Sequence, residues 1–181
     1  MSWQFPYYAP GERLDWDALE AQFSWLRDMH AVPQDPIWHA EGDVFVHTKM
    51  VAEALLNLPE YKSLDLQSQH ILLVAALLHD VEKRSTTRTE QIDGVERIVS
   101  PRHALKGEYT ARSILYQDLV APFEIREQIC KLVRLHGLPL WAIEKPHPAK
   151  EVIKATLMVT TQQLALLAKS DILGPISADQ E

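Results

Sequence analysis

Apolar residues return at three- and four-residue intervals along most of the chain, and the interruptions fall at proline, glycine and short polar runs. Trp16, Leu19, Phe23, Leu26 and Met29 form one stripe, which predicts an amphipathic helix over about 15–29. A proline-containing loop from 31 to about 43 follows, then a second helix over about 44–58 that closes before Pro59. The third helix, opened by Ser63 or Asp65, runs through Ile71 to Leu78 to about Lys83 and is apolar nearly all round, as a central buried helix is. Between 84 and 100 the rhythm changes to short polar segments on either side of Asp93 and Gly94, a hairpin-turn pair. Helical spacing returns over about 102–116, over 122–135 with Pro122 in the first turn, and over about 149–172, ended by Gly174 and Pro175. No internal repeat is visible. The expectation is an all-α bundle of about six helices with a small β-hairpin insert near 84–100.

The stripes carry more than hydrocarbon. Val44, His47, Val51, Leu55 and Leu58 share a face, as do His103, Gly107, Ala111 and Ile114. Ile125, Ile129, Leu132 and His136 make another, and Ile153, Leu157, Thr161, Leu164, Ala168 and Asp171 a fourth. Four helices therefore each point one His or Asp inward. His79 and Asp80 sit side by side at the end of the apolar third helix, where all-round apolarity weakens the facing argument.

Composition narrows the classes. The chain has 181 residues, about one domain's worth, and is read as a single domain over 1–181. Its net charge of −7 argues against broad wrapping of nucleic acid, which needs a basic stripe. One cysteine cannot form an internal disulfide, which points to a reducing compartment. The apolar runs are too short to cross a bilayer, and the first residues lack a basic start and apolar run, so a cytoplasmic protein is expected. Eight histidines are the outstanding excess.

Taken singly, an inward histidine is more often a core residue bonded to a carbonyl than a ligand. Several imidazoles and two carboxylates in one small core are another matter, because each unpaired buried ion costs several kcal/mol. No inward Lys or Arg is evident as compensation, and a divalent metal would supply it. Imidazole and carboxylate without thiolate suit Mn, Fe, Co, Ni, Zn or Mg.

The order His47, His79-Asp80, Asp171 resembles the signature of the HD-domain phosphohydrolase superfamily, an all-helical fold. His103 and His136 look like the two further histidines of its two-metal members. The stretch from Pro36 to Thr48 resembles the opening of the HD domain of bacterial CCA-adding enzymes. The stretches Ser100 to Arg112, Arg126 to Cys130 and Leu135 to Trp141 are similar to the N-terminal HD module of bacterial RNA end-healing proteins, which join it to a polynucleotide kinase. No kinase phosphate-binding loop occurs here, so the resemblance implies the phosphohydrolase half, with a kinase module as an expected partner in the same or a separate chain. Where the common pattern after His-Asp has Gly then Lys, this chain has Glu82 then Lys83, a change expected at the pocket rim.

The resemblance implies two divalent metal ions, one held by His47, His79, Asp80 and Asp171 and the second by His103 and His136, with Asp80 bridging. Two such ions against two carboxylates leave a local charge of about +2, which would draw in a phosphate despite the acidic surface. Water activated there would attack phosphorus in line, with Asp80 and Lys83 in the catalytic set and Lys83 and Arg102 gripping phosphate oxygens. The implied substrate is a nucleotide or RNA-end phosphate such as a 2′,3′-cyclic, 2′- or 3′-phosphate. The alternatives are a nucleoside 5′-monophosphatase, a di-iron oxygenase of the same fold, and a non-catalytic metal-stabilised regulatory domain. His39 is assigned to loop packing, His30, His70 and His147 to surface or structural roles, Cys130 to the core, and the five tryptophans mostly to packing.

Overall fold

A computed structural model describes residues 3–174. Its elements are, in order, helices α1 (Trp16–Gln22), α2 (Ser24–Arg27), α3 (Val44–Asn57), α4 (Pro59–Lys62), α5 (Leu66–Leu78) and α6 (Lys83–Thr86), strands β1 (Arg88–Ile92) and β2 (Val95–Val99), and helices α7 (His103–Gln117), α8 (Phe123–Leu135), α9 (Leu138–Trp141), α10 (Pro148–Thr156) and α11 (Thr161–Leu173). The all-α expectation with one hairpin is met. The strands pair antiparallel from Arg88 opposite Val99 to Ile92 opposite Val95, and Asp93 and Gly94 turn with positive φ as a two-residue hairpin requires.

Helix α5 is the axle of the bundle. Every residue from Ile71 to Leu78 is buried, and at roughly 1.5–3 kcal/mol for each large aliphatic side chain taken from water this run anchors the core. Its N-cap is Asp65, whose side chain accepts from the Ser68 amide, and Asp43 caps α3 in the same way through Val46. Each such cap contributes about 1 kcal/mol and fixes where its helix starts. Helix α8 lies against one side of α5 and α7 packs antiparallel on α8, with Gly107 at their contact, where a Cβ would come within 3.3 Å of Val133. Helices α3 and α11 lie on another. The C-terminus of α11 approaches α3 so closely that a Cβ on Gly174 would stand 2.8 Å from the Val51 amide nitrogen.

Two predicted helices are broken. The first is interrupted at Phe23, whose extended backbone (φ −113°, ψ 110°) seats its ring among Tyr7 and Trp25, at centroid distances of 5.1 and 5.0 Å. The last divides into α10 and α11 at the β-branched run Val159, Thr160 and Thr161, which disfavours continuing a helix. Ile153 and Leu157 consequently lie exposed rather than on the core stripe, and the inward face holds only from Leu164 onward. The third helix stops at Leu78 rather than Lys83, turning at His79. Pro122 is the N-cap of α8 rather than its first turn. Trp25 is buried, but Trp38 and Trp141 are exposed.

Candidate metal centre

Six of the predicted residues meet at one point inside the bundle. His47 comes from the first turn of α3, His79 and Asp80 from the turn that ends α5, His103 from the start of α7, His136 from the end of α8 and Asp171 from the last turn of α11. His47, His79 and Asp80 are wholly buried. Their reactive atoms form two groups. In the first, His47 Nε2 lies 3.1 Å from Asp171 Oδ1 and 3.5 Å from Asp80 Oδ2, while His79 Nε2 lies 3.2 Å from Asp80 Oδ2 and 3.3 Å from His47 Nε2. In the second, Asp80 Oδ1 faces His103 Nε2 at 3.3 Å and His136 Nε2 at 3.7 Å, and those two nitrogens are 3.3 Å apart. Each group could hold a cation, and the two oxygens of Asp80 belong one to each.

The other ring nitrogens are all spoken for. His79 Nδ1 donates to the Ala76 carbonyl at 2.7 Å, His103 Nδ1 to the Ser100 carbonyl at 2.7 Å, and His136 Nδ1 to the Val133 carbonyl at 2.8 Å. A carbonyl oxygen only accepts, so Nδ1 carries the proton, and in the neutral ring Nε2 is left as a lone pair. His47 differs. Its Nδ1 donates to Glu41 Oε1 at 2.9 Å, and the same oxygen accepts from His39 Nδ1 at 3.0 Å. Burial opposes a charge on His47, yet hydrogen bonds to Asp171 and Glu41 outweigh it and raise its pKa to about 9. Burial pushes the other way on Glu41 too, but its bonds from His47, its own backbone and His39 hold it down at about 2. His136, wholly enclosed and beside His79, is lowered to about 4 and so stays neutral.

Lys83 corrects one expectation. It is buried, and its Nζ lies 2.7 Å from Asp80 Oδ2 and donates to Gln34 Oε1 at 2.7 Å, so an inward cation does accompany the carboxylates. Burial opposes ionisation of Asp80, but the neighbouring His79 and Lys83 hold it well below the usual carboxylate range. Glu82 does not form a pocket rim. Its Oε1 accepts from Thr110 at 2.7 Å, and its Oε2 lies 3.3 Å from Lys106 Nζ, which binds the turn after Asp80 to α7. Arg102 is exposed in the left-handed conformation (φ 60°) immediately before His103. Arg97 on β2 pairs with buried Asp35, which docks the hairpin on the loop that carries Glu41. A cavity of about 980 Å³ beside Tyr8, Arg13 and Lys62 lies elsewhere and contains none of the six.

The HD domain family profile matches residues 44–168, more than half of the chain. The chain belongs to the HD-domain family. HD-domain proteins are generally metal-dependent hydrolases, which agrees with what these side chains offer. Asp171 lies three residues past the matched stretch, and His39 and Glu41 before it. No curated protein and no solved structure matches the chain. The donor set of this HD domain fits divalent cations on its own evidence. Among the described residues Asp80 Oδ1 is buried without a hydrogen-bond partner, facing two imidazole nitrogens whose protons are directed away from it. Three acceptors turned on one another are costly unless a cation lies between them. Among the described residues no helix is long and apolar enough to cross a membrane.

Glu41 and Gln34 are the residues that sequence reasoning missed. Both lie in the loop before α3, and the only available signal was an acid six residues ahead of His47, a spacing that becomes a contact once the loop folds back. His39 orders that loop as expected, through Glu41. His70 accepts from the Phe5 amide at 3.3 Å, His30 pairs with Glu20 at 2.7 Å, and Cys130 is a core thiol whose pKa burial pushes up to about 12.

Proposed function

We propose that this HD domain is a metal-dependent phosphohydrolase acting on nucleotide or RNA-end phosphoesters, with 2′,3′-cyclic, 2′- and 3′-phosphates as the substrate class. The observation that carries the reading is the pair of three-atom donor groups sharing Asp80, one oxygen to each. Two divalent ions bound there would neutralise phosphoryl oxygens and bring the pKa of a bound water toward neutrality.

In this reading His47, His79, Asp80 and Asp171 hold one ion, and Asp80, His103 and His136 hold the other. The Nδ1 bonds to Ala76, Ser100, Val133 and Glu41 keep each imidazole oriented and its Nε2 directed inward. Lys83 Nζ presents a fixed positive charge beside Asp80, where a phosphate oxygen arrives, and Gln34 holds it there. Arg102, exposed next to His103, approaches the part of the substrate that projects from the centre. His103 is the more open of the two histidines in its group, with 24% of its side chain accessible against 6% for His136, so substrate enters on its side.

The test is a substrate panel with Mn, Ni, Co, Fe, Zn and Mg supplied in turn: 2′,3′-cyclic nucleotide, 2′-, 3′- and 5′-nucleotides and an aryl phosphate. Metal-dependent turnover of the 2′ and 3′ esters is expected, and Asp80→Ala abolishes it because one change strips an oxygen from both groups. Turnover that survives Asp80→Ala, or ferrous-dependent oxygen uptake without phosphate release, overturns the reading.

A further inference from the structure

The outer surface of α7 and α8 carries three large aromatic side chains that are mostly exposed. Tyr109, Tyr116 and Phe123 are 64%, 67% and 68% exposed. Soluble domains rarely leave that much ring area together without a use. The groups between the rings are guanidiniums. Arg112 lies over Tyr109 at 5.9 Å, and Arg126 lies over both Tyr116 and Phe123 at 5.4 Å. Arg112 is itself fixed by a two-pronged pair with Glu127 at 2.9 and 2.8 Å, so the platform is held in place before anything binds. In a chain of net charge −7, these two helices carry five Lys and Arg against three Glu, a local reversal of sign. One of those carboxylates, Glu108, is buried beneath Lys131 and Arg112 at 2.6 and 3.1 Å.

We propose that this face binds single-stranded nucleic acid, with bases stacking on Tyr109, Tyr116 and Phe123 and backbone phosphates meeting the interleaved cations. Rings that any base can cover, separated by positive charge, are the components of sequence-tolerant single-strand binding. An apolar protein helix fits less well, because it would have to desolvate the arginines that separate the rings. The placement also relates the face to the centre. His103, Lys106, Tyr109 and Arg112 recur at every third residue, and on a helix that spacing winds slowly from the inward side of α7 to its outer side. At about 1.5 Å per residue Tyr109 stands about 9 Å along the axis from His103, and Tyr116 about 10 Å further, each interval a span of about three stacked nucleotides. The direction of the strand, with its terminal phosphate at His103, rests on the phosphohydrolase reading; binding to the face does not.

The experiment is fluorescence anisotropy with the full chain as purified and a labelled single-stranded RNA of about 12 nucleotides ending in a 3′-hydroxyl, which offers no 3′-terminal phosphate to hydrolyse. The wild type is expected to bind, more weakly as salt rises from about 50 to 200 mM. The double substitution Tyr109→Ala with Tyr116→Ala is expected to weaken binding about tenfold or more, and Phe123→Ala, made separately, to weaken it in the same sense. All three positions are exposed, and an unchanged melting temperature and unchanged turnover of an aryl phosphate show that fold and centre are intact. Absence of binding by the wild type, equal binding by the variants, or equal affinity for a duplex of the same length overturns the proposal. So does a change in self-association, rather than RNA affinity, on substituting the tyrosines. If RNA binding follows the tyrosines while no phosphoester in the panel is turned over, the phosphohydrolase reading fails and this one stands.

Discussion

Each histidine of the centre has two ring nitrogens, and the outer one decides what the inner one offers. Three of them give the outer proton to a neutral carbonyl, whereas His47 gives it to a carboxylate, which raises the basicity of its inner nitrogen. Glu41→Gln keeps the shape but removes that charge, and is expected to lower affinity for the ion beside His47 by roughly tenfold to a hundredfold, read by titration calorimetry. A calorimetric affinity equal to wild type would remove Glu41 from this role. The same charge has a pH consequence. In the metal-free protein His47 is protonated between Asp171 and Glu41, with a pKa raised to about 9 against about 6.5 for an ordinary histidine. Its contribution to stability is therefore complete below about pH 6.5 and lost as pH rises through about 9. An ion binding at pH 7.5 must displace that proton, so the binding enthalpy is expected to vary with the buffer's ionisation enthalpy, and a buffer-independent enthalpy would contradict it. At this scale His47, His103 and His136 were legible because helical spacing alone puts each on an inward face, whereas His79 was legible by its pairing with Asp80 in the resemblance. Gln34 and Glu41 were not, since what each touches depends on how a loop without periodicity folds over the centre; Lys83 was singled out, but not its burial against Asp80.

The elements were legible wherever one face is continuous, as in α3, α5, α7 and α8. They were misread where a side chain on the far side of the core outweighed the local rhythm, as at Phe23, or where β-branched residues stop a helix that hydropathy alone would continue, as at 159–161. The division between α10 and α11 matters to the centre, because α11 alone sets the height of Asp171. That height depends on Gly174, whose missing side chain lets α11 press against the backbone of α3. Gly174→Ala places a Cβ against main chain that has no flexible end to yield. It is expected to cost about 1–3 kcal/mol in stability, read by denaturant unfolding, and to weaken metal binding beside His47 more than beside His103. Equal stability and equal metal content in this variant would show that α11 is not held by that contact. The hairpin is joined to the centre through Arg97 and Asp35, and Arg97→Ala is expected to loosen the 31–43 loop, seen as faster amide exchange at Glu41, while α5 stays protected.

For the molecule as a whole, net charge and histidine content describe different parts of the protein. The acidic total describes the surface, while the proposed chemistry depends on a few enclosed atoms whose field a bound cation would reverse. Stability should follow the same atoms. Metal at about 100 times its dissociation constant is expected to add about 2.7 kcal/mol and raise the melting temperature by several degrees, an increase that Asp80→Ala removes. A melting temperature indifferent to metal and chelator would contradict it.

The ligands of the centre are far apart along the chain: His47 and His79 are separated by 32 residues, and His103 and His136 by 33. An ion joining each pair would close those stretches into loops, much as a cross-link does, and would deny the unfolded chain the freedom it otherwise regains. In a protein whose single cysteine can form no internal bridge, the centre would then serve as a reversible staple, tightened or released by the supply of metal rather than by redox conditions.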